Sequence, residues 1–339
     1  MPVPAHIRRR LAHKVTTVMR LKRWVLWLSG GAAGGLAVLL LCRETVAAQG
    51  VRDGIELCAA SVIPALFPFF IVSQLLVALG AAEAAGRRLG PLFGRLFGVG
   101  GAGVSALLLG LTGGYPVGAK TVEGLVRQGL LGREDGAVLL AFCNNAGPAF
   151  ILGIAGGSVF QSGRAGAWLY GIHAVSAILI GVFFHFIMKH VFLPVSSDHF
   201  RFSASSCNSP AVRAGKRPVS PAAALVQAVG GGVRAMAGVC GSVVFFLVLL
   251  RLAEDLLGPL PPLAAGMAEL TNGILRLTPD RAGFLTAAGL LGWGGLSVHC
   301  QTAAVLAGSG ISMRYYLPAK AAQGLLSAAL AAAVWQWAL

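Results

Sequence analysis

The sequence predicts an all-α polytopic membrane protein, built as an inverted repeat of spanning helices with two re-entrant helical hairpins. Three observations predict it. Apolar residues make up 56% of the 339 positions and charged residues 12%, about half of the roughly 25% expected of a soluble protein. The apolar residues gather into runs that approach the ~20 residues of a membrane-spanning helix. Two stretches of the chain match one another when the sequence is slid along itself.

Residues 1–23 carry Arg8, Arg9, Arg10, Lys14, Arg20, Lys22 and Arg23 and no acid, the composition of a cytoplasmic tail. A first transmembrane helix follows over 24–48, its apolar part running from Trp24 to Cys42. A cleaved signal peptide ending near Val46-Ala47-Ala48 is the competing reading, but the apolar stretch is longer than such a peptide needs. Further apolar runs are Leu57 to Gly80, Leu96 to Thr112, Ala137 to Phe160, Ala165 to Met188, Ala222 to Leu252, Phe284 to Leu306 and Tyr316 to Leu339. Lys189 to Pro221 is basic and rich in Ser and Pro, which reads as a cytoplasmic loop.

Counting every run as a crossing puts that loop outside. The conflict disappears if the chain from about Leu96 to Leu131 dips into the membrane and returns, so that Arg87, Arg88, Arg95, Arg127 and Arg133 share the loop's side. The expected protein is therefore a multi-pass membrane protein with both termini cytoplasmic. The net charge of +15 is explained by these basic segments, and nucleic acid is not expected as a partner. The six cysteines show no C-x-x-C pair and read as packing residues. No metal, cofactor or enzymatic activity is expected, because neither paired carboxylates nor a Ser-His-Asp arrangement stands out.

Sliding the chain by 181 residues places Gly113-Gly114-Tyr115-Pro116-Val117-Gly118-Ala119-Lys120-Thr121 on Gly294-Gly295-Leu296-Ser297-Val298-His299-Cys300-Gln301-Thr302, and Arg133 on Arg314. One residue further, Gly50-Val51-Arg52 falls on Gly232-Val233-Arg234 and Cys58 on Cys240. Chance agreement of Gly-rich strings is the bland alternative. Two repeats are predicted, over 49–160 and 231–339, joined by a connecting helix and the basic loop over 161–230. One connecting span inverts the second repeat relative to the first. Broken segments paired in this way point to a midplane binding site in transporters.

The string Gly113 to Thr121 departs from a phosphate-binding loop, because Ala119 separates Gly118 from Lys120 and no strand precedes it. Hairpin tips instead offer backbone N–H groups to an anion, with Lys120 as a fixed charge nearby. A buried Lys120 needs a partner: a substrate carboxylate, Glu123 one helical turn on, or water reached by snorkelling. Asn144 and Asn145 interrupt the run before Pro148 and suit a planar polar ligand or a coupling ion, or else cap the broken helix ends. His299 is a candidate for carrying a coupling proton, or a satisfied interhelical hydrogen bond. Glu269, in Glu269-Leu270-Thr271-Asn272-Gly273, is with Asn272 a candidate for binding a coupling proton or sodium; the alternative is a helix end with Asn272-Gly273 as its cap. Tyr115 is placed to stack on an aromatic ligand or simply to pack. The expected substrate-binding set is Gly113, Gly114, Tyr115, Lys120, Asn144, Asn145, Gly294, Gly295, Ser297, His299 and Gln301. His173 and His185 read as structural, and Trp335 and Trp337 as interface anchors.

The strings Gly113 to Lys120, Leu140 to Pro148, Glu269 to Gly273 and Gly294 to His299 resemble those of the YlbJ-type sporulation integral membrane proteins. These belong to the nucleoside-recognition, or Gate domain, superfamily, which is related to concentrative nucleoside transporters. The resemblance covers about Gly50 to Trp337. It implies a role in endospore formation as a carrier of dipicolinic acid, a small aromatic dianion, with the outer forespore membrane as the implied location. It assigns no individual ligands. Two other readings stand beside it, a nucleoside-type transporter and a non-transporting scaffold for sporulation proteins in the lipid bilayer. Oligomeric state is left open by the sequence.

Overall fold

The computed structural model describes Trp24 and residues 27–79, 81–98, 101–187 and 220–338. The basic tail 1–23 and nearly all of the basic loop, on which the cytoplasmic placement of the termini rests, lie outside the described residues, as does the side chain of Arg87. Among the described residues every regular element is helical. Contacts divide the chain after Gln49. In the first unit, α1 (Trp27–Cys42) is an apolar helix with its side chains mostly exposed.

From Gly50 onward the chain forms the second unit. Helix α2 (Glu44–Leu57) passes through a π-helical turn at Cys58–Val62 into α3 (Ile63–Ala78), giving a continuous apolar helix over Glu44–Leu76. The span therefore starts earlier than the apolar run beginning at Leu57, and of the residues before that run Gly50 and Gly54 are buried. Gly50 and Gly54 sit so close to the backbone of Val248 and Val244 that a Cβ at either would lie within 3 Å of a Cα. Cys58 follows one turn later, its thiol 3.9 Å from the carbonyl oxygen of Cys240. This spacing of small residues lets two backbones approach. The rising and falling numbers show that α2 runs antiparallel to α9 (Pro221–Leu257), which also packs on α3. Ser220 caps α9 by accepting from Ala223 N–H, and Gly258 ends it with φ of 85°.

Helices α4 (Ala81–Phe97), α5 (Gly101–Gly113), α6 (Val117–Arg127) and α7 (Arg133–Cys143) follow. At 1.5 Å per residue, α5 and α6 are each about 20 Å long or less, short of a ~30 Å hydrocarbon layer. They turn on Gly114, whose φ is 73°, and pack against one another. The apolar run Ala137 to Phe160 is not one helix: it opens after Cys143 into the extended Asn144 and resumes as a π-helix over Ala149–Val159. Helix α8 (Gly163–Ile187) is long and apolar enough to cross a membrane.

Beyond α9 the chain forms α10 (Pro262–Ala268), α11 (Leu270–Leu275), α12 (Arg281–Trp293), α13 (Gly295–Leu306) and α14 (Tyr316–Ala338). The run Phe284 to Leu306 also breaks, at Gly294 and Gly295, whose φ angles are 94° and 82°. The left-handed glycines Gly114 and Gly295 thus fall on one another at the 181-residue shift. Unlike α5 and α6, the second pair does not fold into a packed hairpin. Helix α12 lies along α14, while α13 packs on α6, α9 and α10. Two successive positive φ angles turn the chain outward there, and Gly292 seats α12 directly on Gly324 of α14.

Among the described residues four helices, Glu44–Leu76, α8, α9 and α14, have the length and composition of spans. Two apolar clusters pack between them. One centres on Ile151, Leu169, Phe284 and Leu291, the other on Phe97, Leu139, Phe142 and Tyr316. A belt of buried polar side chains separates the two.

Candidate functional site

The belt is built where α7 breaks. An unwound segment frees backbone groups, and polar side chains at membrane depth must satisfy them or one another. Asn144 and Asn145 are fully buried and face different neighbours. Asn144 donates from Nδ2 to Thr302 Oγ1 at 2.8 Å and to Tyr316 Oη at 3.1 Å, and its Oδ1 accepts from Ala119 N–H at 3.3 Å. It thereby ties the start of α6 to α13 and α14. Asn145 donates to Phe142 O at 2.8 Å, and its Oδ1 accepts from both Lys320 Nζ and Gln323 Nε2 at 3.2 Å.

Lys320 has no exposed surface. Its ammonium donates to Gln323 Oε1 at 2.7 Å as well as to Asn145, leaving one N–H of three over. Nearby, the ring of Tyr115 has its centroid 5.5 Å from Nζ. Among the described residues no carboxylate forms an ion pair with it. Gln323 Nε2 also reaches His173 O at 3.4 Å, and Ser327 Oγ donates to Ser176 Oγ at 2.8 Å one turn further. His173 Nε2 accepts from Ala146 N–H at 3.1 Å, so the imidazole is neutral with its proton on Nδ1. A buried positive charge among neutral amides, hydroxyls and a neutral imidazole is an unbalanced arrangement.

Beside the belt lies a cavity of about 590 Å³, its mouth included, between α3, α9, the turn at Gly114 and α11. Apolar walls come from Val62, Leu66, Phe69, Phe70, Phe150 and Val243, and polar atoms from Tyr115, Glu269, Thr271, Ser297 and Gln301. The hydroxyls of Tyr115 and Ser297 are buried without hydrogen-bond partners. Glu269 is buried, and its two oxygens accept from Thr271 N–H at 3.1 Å and Asn272 N–H at 2.7 Å. It is the N-cap of α11, so the expected cap at Asn272-Gly273 is replaced by one at the other end of the same motif.

Of the expected substrate set, Gly113, Gly114, Tyr115, Ser297 and Gln301 line this cavity with Glu269. Gly294 lies against the Tyr115 hydroxyl and Gly295 against the α10–α11 break. Asn144 and Asn145 lie in the adjoining belt. His299 is buried, with Nδ1 3.4 Å from Tyr316 Oη and its ring edge-on to Trp293. Asn272 is half-buried, with its Oδ1 unpartnered.

Lys120 requires a correction. The sequence reading buries it at membrane depth, but its side chain is exposed, because Val117, Ala119 and Val122 turn the other face of α6 inward. The buried cation is Lys320. Its signal was present in the sequence: Tyr316, Lys320, Gln323 and Ser327 recur at four- and three-residue steps, a polar stripe along one face of the last apolar run.

Two ion-pair groups join the halves away from this belt. Arg251 contacts Asp53 at 2.7 Å and Glu254 at 3.4 Å, and Glu254 in turn pairs with Arg276. Glu134 pairs with Arg314 and accepts from Tyr315 Oη at 2.9 Å. There the Arg314 guanidinium is raised above its ordinary value by that carboxylate.

Comparison with known proteins matches residues 59–227 to the Gate family, described as nucleoside recognition. The chain is also 26% identical over 336 aligned positions to the sporulation integral membrane protein YlbJ of Bacillus subtilis (strain 168). That alignment covers 89% of this chain and 80% of the relative. No solved structure matches.

Proposed function

Since residues 59–227 form a Gate domain in a helical membrane protein similar to a sporulation protein, we propose that the chain is a carrier for a small organic anion. The observation that carries this reading is the ammonium of Lys320, buried with no carboxylate ion-paired to it among the described residues and with the Tyr115 ring between it and a cavity. A substrate carboxylate supplies the missing countercharge. The preferred substrate is dipicolinic acid, moved into the forespore, whose flat ring suits the walls of Phe69, Phe70 and Phe150. It comes from the family resemblance.

Alternating access follows from an inverted repeat. Support for the inversion comes from the antiparallel contact of α2 and α9 at Cys58 and Cys240, which are repeat equivalents. Equivalent residues of antiparallel helices meet where a two-fold axis crosses them, and such an axis lies in the membrane plane when the helices span it. Glu134 and Tyr315, equivalent at the 181-residue shift, also touch. In this reading the breaks at Gly114 and Gly294–Gly295 mark the segments that open the site to either side. The protein is multi-pass, with both termini cytoplasmic, in the outer forespore membrane, and acts without a cofactor and without enzymatic activity.

A second reading, a nucleoside carrier, is favoured by the Glu269 carboxylate and the unpartnered hydroxyls of Ser297 and Tyr115 in the cavity, groups that suit ribose hydroxyls. Uptake of labelled dipicolinate and of labelled nucleoside into vesicles carrying purified protein separates the two. Saturable dipicolinate uptake that Lys320→Met abolishes supports the proposal, and nucleoside uptake alone transfers it to the second reading. No uptake of either under any ion gradient returns the protein to the scaffold class.

A further inference from the structure

Tyr115 occupies a position that packing alone does not explain. Its ring is buried, forms part of the cavity wall and carries the Lys320 ammonium 5.5 Å from its centroid. Lys320, Asn145 and Gln323 do not themselves line the cavity. The ring is therefore what the cavity and the ammonium share. Its hydroxyl has no hydrogen-bond partner and lies against Gly294, where even a Cβ would come within 2.9 Å of it. A phenylalanine would make the same wall without leaving a polar atom unpaired, so the hydroxyl is not there for stability.

An aromatic face is a weak partner for an ammonium and a carboxylate a strong one. We propose that Tyr115 is the specificity gate of the site: its ring holds the Lys320 charge when the cavity is empty and is displaced by the carboxylate of an anionic ligand. Neutral ligands of the same shape stay on the cavity side of the ring, because nothing in them repays the lost cation–π contact. The swing is local. Tyr115 follows the left-handed Gly114, and Gly114 sits directly on Gly147 at the α7 break, so the ring lies where the turn between α5 and α6 meets the break after α7. This gate rests on the anion-carrier reading for its ligand, but the partition itself is independent of which anion is carried.

Cys143 provides a native reporter. It is fully buried at the end of α7, two residues before the Asn145 that accepts from Lys320, and is not among the residues that line the cavity. The experiment is the rate at which N-ethylmaleimide modifies Cys143 in the purified full chain, read by peptide mass spectrometry, with denatured protein as the positive control. Wild type and Tyr115→Phe react slowly, and Tyr115→Leu reacts about tenfold faster or more, because the ring no longer closes the path. Phe150→Leu, which removes a ring from another wall of the same cavity, leaves the rate unchanged. Equal rates in wild type and Tyr115→Leu overturn the gate, as does equal acceleration by Phe150→Leu. Dipicolinate slows the reaction in Tyr115→Leu. If the ring effect is present but dipicolinate gives no protection, the anion exchange at Lys320 fails while the partition stands, and the carrier reading falls with it. A melting temperature within a few degrees of wild type confirms that each variant is folded.

Discussion

Lys320 and Asn145 stand 175 residues apart in the chain and 3.2 Å apart in the structure, and the oxygen that accepts from the ammonium carries no charge. The charge is held by neutral dipoles and the face of the Tyr115 ring, and desolvating it costs more than such contacts return. Lys320→Met keeps the length of the side chain and removes the charge, while Gln323 and Asn145 remain bonded to each other. The variant is expected to melt no lower than wild type and to lose saturable anion uptake entirely. Thermal denaturation and vesicle uptake measured on the same preparation check both halves of this expectation.

Lys120→Ala is the matching control. Lys120 is exposed on α6 and makes no part of the belt or the cavity lining. Its loss is expected to leave both uptake and melting temperature close to wild type, since surface substitutions usually change stability by no more than about 0.5 kcal/mol. A loss of uptake comparable to that of Lys320→Met would put the anion at α6 instead.

The contrast between the two lysines also measures what was legible in the sequence. Helical class, membrane character and the two glycine turns could be read because composition and Gly-Gly pairs are local signals. The cavity residues Tyr115, Ser297 and Gln301 were reached through the repeat, which brings together strings that no local pattern connects. Lys320 lies outside the Gly-rich strings that mark the breaks, although its stripe with Gln323 and Ser327 is visible at helical spacing. Other features had no local signal. That α13 swings away from α12 depends on Gly292 finding Gly324 in another helix, and the break at Gly294 alone does not predict it. Glu269 was recognised as a buried acid, but which helix end it caps was decided by a break between α10 and α11 that the motif itself does not mark.

Asn145→Asp tests the countercharge directly. The substitution is nearly isosteric and places a carboxylate where Oδ1 now accepts from Lys320 and Gln323. An internal ion pair then competes with the substrate. The variant is expected to bind the anion at least about tenfold more weakly, equivalent to roughly 1.4 kcal/mol, while remaining as stable as wild type or more so. Binding isotherms alongside melting curves check this, and unchanged affinity would remove Lys320 from the anion's path.

The breaks depend on glycine for two separate reasons, which substitutions distinguish. A Cβ on Gly110 would lie 1.6 Å from Cys143 O, an overlap that no side-chain movement relieves, so Gly110→Ala is expected to cost about 3 kcal/mol or to prevent folding. Gly294→Ala meets the mobile end of Tyr115 instead, at 2.9 Å, but forces a φ of 94° on an alanine, an expected cost of about 1–3 kcal/mol. Expression level and the temperature of aggregation in detergent should rank the two in that order.

Asp280 gives a pH dependence outside the spans. Its carboxylate caps α12, accepting from Gly283 N–H at 2.7 Å and from Thr278 Oγ1 at 2.8 Å. The Gly283 N–H first, and then the Thr278 hydroxyl, hold its carboxyl below the ordinary carboxylate range. A group whose value is lower when folded stabilises the fold above its unfolded pKa of about 3.9. That stabilisation is lost as pH falls through the lower folded value. Asn caps a helix as well as Asp but does not titrate. The melting temperature of wild type relative to Asp280→Asn is therefore expected to be constant above about pH 5 and to decline below about pH 4. A difference that stays flat through the acid range would show that the Asp280 charge contributes nothing to holding the start of α12.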